Sequence, residues 1–182
     1  MVVGNKQNLL LHSCFCSFGR TKITRMNSSF YTGLLHLHSF GRWVLLILLL
    51  VAIFRSATAG NRLFTSGDVR NGTLLTIIAD IMLLVGVYQW YAGNWGYKQI
   101  ENFGGVGEVM KNSTARFFAV EHLIGMLIAI ILIHLGKAQD KRNIPDKAKH
   151  KRTFIFYLVA LLVILASIPW PFREVGADRG WF

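Results

Sequence analysis

The chain has 182 residues, of which 53% are hydrophobic and only 16% charged, against about 25% charged in an ordinary soluble domain. One domain suits that length, and the composition argues against a water-soluble one. The formal net charge of +11 would suggest nucleic acid in a soluble protein. Here seven of the 20 basic residues crowd into "KAQDKRNIPDKAKHKRTF" between two apolar runs, which is how a cytoplasmic loop beside a membrane span is marked. Nucleic acid is therefore set aside as a partner.

Residues 1–25, "MVVGNKQNLLLHSCFCSFGRTKITR", are mixed and basic, without a long apolar run. They are expected to be an unstructured extension, with Met26 as the true start of a domain covering residues 26–182. A disordered cytoplasmic tail or a weak targeting segment is the alternative. Cys14 and Cys16 are too close to staple a fold, and no second pair completes a zinc set. "LLLHSC" has three leucines ahead of the cysteine, too few for an apolar signal core of about 7–15 residues.

Four apolar runs follow, at residues 34–54, 74–91, 117–135 and 154–170. About 20 apolar residues cross a bilayer core. The runs are continuous rather than alternating, so they predict helices and not barrel strands. Short connections then predict an all-α, integral-membrane, up-down-up-down four-helix bundle. The second loop is glycine-rich. Its "GGVG" follows no strand and lacks a P-loop lysine, so it reads as a turn, and residues 97–110 are expected to form a short interfacial helix. Pro169 and Pro171 mark where the fourth helix stops. "NGT" and "NST" match the glycosylation pattern, which has meaning only in a eukaryotic context.

Lysine and arginine counts orient the bundle. From Met26 onward, five lie on the side of the second loop and the termini, and ten on the side of loops one and three. The positive-inside rule puts loops one and three in the cytoplasm and both termini outside. Trp90, Tyr91, Trp95, Tyr97, Trp170 and Phe172 gather on the outer side, where aromatic rings favour the headgroup level.

Ionisable residues inside the runs are the functional candidates, because they are costly in hydrocarbon. At 1.5 Å per residue, His38 lies about 6 Å below the outer edge of the first run and His122 about 8 Å below that of the third. His36 is slightly shallower and about 200° from His38 around the helix. Two helices thus offer histidine at one level, which is what bis-histidine haem ligation needs. Arg42, one turn from His38, would reach outward to Glu121 or a haem propionate. The cofactor-binding candidates are therefore His36, His38, His122, Arg42 and Glu121, with His38 and His122 on the metal. An inner pair is Asp80, about 9 Å above the inner edge of the second run, and His134 near that edge of the third. They could form a hydrogen-bonded pair or part of a proton path. Alternatively, the whole polar set is a structural network that fixes helix register.

Three stretches, "YTGLLHLHSFGRW", "RFFAVEHLIGMLIAIILIHLGKA" and "KHKRTFIFYLVALLVILASIPWPF", resemble small bacterial four-helix membrane proteins labelled cytochrome b-like or uncharacterised. The resemblance covers most of residues 31–172. It implies a b-type haem, electron transfer in the bacterial inner membrane and a redox partner or membrane complex, with membrane lipids around the helices. It supplies no ligand set, so His36, His38 and His122 rest on depth alone. No second histidine pair stacks below the first, unlike respiratory cytochrome b. The competing readings are a small proton or solute path through Asp80, Glu121 and His134, and a structural or accessory subunit. No independent catalytic motif is present.

Overall fold

The computed structural model describes the backbone of residues 7–176 and the side chains of residues 29–176. Every regular element among the described residues is helical: α1 (Gln7–Ala57), α2 (Ser66–Ala92), α3 (Tyr97–Asn102), α4 (Val106–Val109), α5 (Ser113–Arg116), α6 (His122–Lys137) and α7 (Asp146–Ser167). A π-helical turn, Phe117–Glu121, joins α5 to α6, and a 3-10 turn, Ala138–Lys141, extends α6. Four segments are long and apolar enough to cross a membrane: Ser29–Ala57, Ser66–Asn102, Ser113–Lys141 and Asp146–Ser167. Each contains one of the four apolar runs, or nearly all of it, since the fourth run extends past the end of α7 at Ser167. The backbone of α1 is helical from Gln7, in a stretch where the sequence predicts no structure. Residues 1–6 and 177–182 lie outside the described residues.

α1 packs on α2 and α7, and α6 also packs on α2 and α7, so α1 and α6 stand across the bundle from each other. The seams show which ends meet. Gln89 Nε2 at the end of α2 donates to the Leu34 carbonyl near the first turns of the α1 apolar run, at 2.7 Å. Arg55 at the end of α1 donates to Asp68 at the start of α2, at 2.9 Å. Trp90 Nε1 donates to the Ala119 carbonyl at 2.9 Å, and the Thr153 hydroxyl to the Gly136 carbonyl at 3.4 Å. The centre is filled by Leu45, Leu49, Leu75, Ala129, Ile133 and Tyr157, among others. Large apolar side chains also cover the outside: Leu84 is 71% exposed, Leu162 59% and Ile131 58%. Water would charge about 25 cal/mol for each Å² of such surface, and hydrocarbon would not.

The helix ends follow local chemistry. Thr65 and Asp68 form a capping box at the start of α2, the carboxylate accepting from the Thr65 N–H at 2.9 Å and its hydroxyl at 2.8 Å. α7 stops at Ser167 because Ile168 precedes Pro169 and is extended. Residues 97–110 of the second loop hold two short helices, α3 and α4, rather than the single one expected there. Gly104 (φ 80°) and Gly105 (φ 133°) adopt conformations closed to other residues and break it. The bundle therefore has an aromatic end, carrying α3 and α4, and a basic end, carrying the first and third loops.

Candidate functional site

α1 delivers His38 and Arg42, one turn apart, into the aromatic half of the bundle. α6 delivers His122 in its first turn. His122 follows directly on the π turn, and its N–H bonds back five residues to the Phe117 carbonyl. That extra residue re-phases the helix just where the imidazole leaves it, and π turns of this kind are frequent at functional sites. His122 is then held from a third helix: its Nδ1 lies 2.7 Å from the Ser167 carbonyl. A carbonyl only accepts, so Nδ1 carries the proton and Nε2 keeps its lone pair in the neutral ring. The Ser167 carbonyl is free for this because α7 ends there and its last carbonyls have no helical donor. Metal-binding histidines are commonly oriented by just such a bond to a backbone carbonyl.

His38 packs against α2 at Gly86. A Cβ on that glycine would stand 3.2 Å from His38 Cε1, so the absent side chain makes the socket for the ring. His38 Nδ1 is buried and has no hydrogen-bond partner among the described residues. His38, Arg42 and His122 lie near one another in this half of the bundle. The Arg42 guanidinium sits 5.3 Å from the Trp43 ring, and the Phe117 ring is 6.1 Å from that of His122. All four long helices thus contribute: His38 and Arg42 from α1, Gly86 from α2, His122 from α6 and the Ser167 carbonyl from α7.

The other sequence candidates fall elsewhere. His36 is exposed, on the far side of α1 from His38. Glu121 is also exposed and pairs with Arg116 at 2.6 Å, five residues back on its own rod. The expected Arg42–Glu121 pair is corrected accordingly: the π turn swings Glu121 to the outer flank, within reach of Arg116. Asp80 and His134 do come together, with His134 Nε2 3.4 Å from Asp80 Oδ1, but both are about half exposed, on the flank of the α2–α6 seam. His134 Nδ1 lies 2.9 Å from the Ile130 carbonyl one turn back.

Sequence reasoning missed the Ser167 carbonyl and the role of Gly86. The proline pair after Ser167 was the signal for the first, since a helix stopped there must expose carbonyls. It also missed His150, which is 2% exposed, packs its ring 4.9 Å from Phe64, and has no partner for either ring nitrogen among the described residues.

Among the described residues no three or more His, Cys, Asp or Glu side chains gather to hold a metal ion. A porphyrin supplies four of its iron's ligands, so haem asks only for axial residues. The residues offered for that role are His38, buried with Nδ1 unpartnered among the described residues, and His122, oriented by the Ser167 carbonyl. Comparison with protein-family models, with curated proteins and with solved structures gave no match.

Proposed function

We propose that the chain is an integral membrane protein of the cytochrome b-like kind, an up-down-up-down bundle that holds one b-type haem in its aromatic half. His38 and His122 would hold its iron in this reading, and the chemistry it would supply is electron transfer. The observation that carries it is the 2.7 Å bond from His122 Nδ1–H to the Ser167 carbonyl, which fixes the tautomer with Nε2 free to ligate. Arg42 places a positive charge beside both rings, suited to a propionate. Gly86 keeps the α2 wall thin where the ring of His38 lies. Bound there, haem would supply a one-electron redox centre, with the surrounding apolar core excluding water from it.

The test is the visible spectrum of protein purified in detergent, reduced minus oxidised. A Soret and α band are expected, lost in both His38→Ala and His122→Ala and kept in His36→Ala. Colourless, folded protein that also fails to take up added haemin would end the proposal. The same reading places loops one and three in the cytoplasm of a bacterial inner membrane, supported by their ten basic residues against five. Labelling of single cysteines in loops two and three should reach them from opposite sides.

Asp80 and His134 favour a second reading, a proton site. The His134 Nδ1 proton is committed to the Ile130 carbonyl. Nε2 would then face Asp80 Oδ1 lone pair to lone pair, unless a proton lies between them. A proton shared between them would make a proton site within the apolar span. A pH-driven flux in vesicles that disappears in Asp80→Asn would favour this reading over electron transfer.

A further inference from the structure

One flank of the bundle suits neither water nor lipid. On α2, Ile77, Asp80 and Leu84 follow at steps of three and four residues, so they share a face. On α6, Leu127, Ile131 and His134 do the same. The two stripes run along the α2–α6 seam and are joined where His134 Nε2 meets Asp80 Oδ1 at 3.4 Å. Their apolar members are exposed, and so are 49% of the Asp80 side chain and 47% of that of His134. Asp80 stands midway along α2, about 20 Å from either end of the helix. Ionisable side chains within a membrane almost always turn into the bundle or a water-filled cavity. These two turn outward, among isoleucine and leucine. Their mutual contact is longer than the ~2.7–3.2 Å of a good N–H···O bond, so it leaves both with bonding capacity. Polar contacts between helices are what lipid favours, and a further polar surface at this flank would supply them.

The chemistry of the flank names that surface. A face carrying only a carboxylate would repel its own image across a two-fold axis. A face carrying a carboxylate and an imidazole side by side matches its image, since each copy brings an acceptor to the other's ring and a ring to the other's acceptor. The bulky apolar residues on either side would pack against their counterparts and keep the cluster dry. We propose that the α2–α6 flank is the interface of a two-fold dimer of this chain within the membrane, with Asp80 of each copy meeting His134 of the other. The proposal rests on the bundle lying in a membrane and is independent of haem.

Full-length protein with Cys14 and Cys16 changed to serine would carry Leu84→Cys, Ile131→Cys or, as a control, Leu162→Cys, a comparably exposed position on α7. A short bifunctional thiol reagent would be applied in native membranes, and the parent protein weighed by light scattering in dodecyl maltoside. A protein mass of twice 20.6 kDa is expected, with cross-links at Leu84→Cys and Ile131→Cys and none at Leu162→Cys. Asp80→Leu and His134→Leu should each weaken association about tenfold or more on dilution. The cross-links leave Asp80 and His134 intact, so they decide the matter if the leucine variants do not fold. A monomer, cross-linking confined to Leu162→Cys, or unchanged association in both leucine variants would overturn the proposal. So would a larger assembly, or a different polypeptide cross-linked to this flank in place of the second copy.

Discussion

Asp68→Ala should destabilise the bundle more than any single surface charge removal. The carboxylate accepts from Arg55 Nε at 2.9 Å, Arg62 Nη1 at 2.7 Å, Arg62 Nη2 at 3.1 Å, and the Thr65 N–H and hydroxyl at 2.9 and 2.8 Å. The capping share is worth about 1 kcal/mol. Removing one partner of a fully buried ion pair costs about 3–5 kcal/mol. Asp68 is 7% exposed, but Arg55 and Arg62 are 38% and 36% exposed, so water rehydrates them and that share falls to about 1–2 kcal/mol. The hydrogen bond to Asp68 holds the Arg62 pKa above its ordinary value, so this cation stays charged through any practical titration. The sum is about 2–3 kcal/mol, or about 5–10 °C in a chain of this size. Thermal unfolding by circular dichroism in dodecyl maltoside measures it. Asp68→Asn keeps an acceptor for the cap and should lose about half as much. A loss under about 0.5 kcal/mol in Asp68→Ala, or equal losses in the two variants, would refute a charge-assisted clamp between the end of α1 and the start of α2.

Gly86→Leu should fill the socket of His38 and cost about 1–3 kcal/mol by overpacking, and any haem band should fall with it in the same preparation. Gly105→Ala should cost about 1–3 kcal/mol because φ is 133° there, whereas Gly107→Ala, in open space on a helix, should be neutral or slightly stabilising; paired melts decide. Glu121→Gln removes an exposed pair and should move the melting temperature by no more than the equivalent of about 0.5 kcal/mol, leaving the visible spectrum unchanged.

The four long helices were legible because lipid-length apolarity is a property of composition, and composition survives any detail of packing. Which side chains turn inward was less so. His38 and His36 are two residues apart, and the helical period alone says that they diverge; only packing against Gly86 says which one enters the bundle. Glu121 and His122 are adjacent, and an ideal helix fixes the angle between them. The π turn ahead of them changes the phase relative to Arg116, and nothing in "FFAVEH" announces it. The expected Arg42–Glu121 pair failed on that one inserted residue. Asp80 and His134 were found by depth alone because both lie on a single seam. The pairing of Arg55 with Asp68 and of Lys137 with Asp140 escaped notice because each of those residues alone reads as an ordinary helix-end charge.

Glycine recurs beside polar side chains in the helix seams. His38 sits at Gly86, Tyr157 at Gly72 and Gly136, and the Ser167 side chain at Gly125, where an added Cβ would overlap its hydroxyl. In a membrane, helices gain little by hiding apolar surface from one another, so close approach and satisfied polar groups must hold them together. A glycine opposite each polar side chain serves both needs, by letting the helices close and by leaving room for a ring or hydroxyl between them. Gly41, which faces the Met82 thioether, shows the same close approach without a polar guest. Gly72, Gly86, Gly125 and Gly136 therefore mark where Tyr157, His38 and Ser167 enter the helix seams, and Gly41 is the exception.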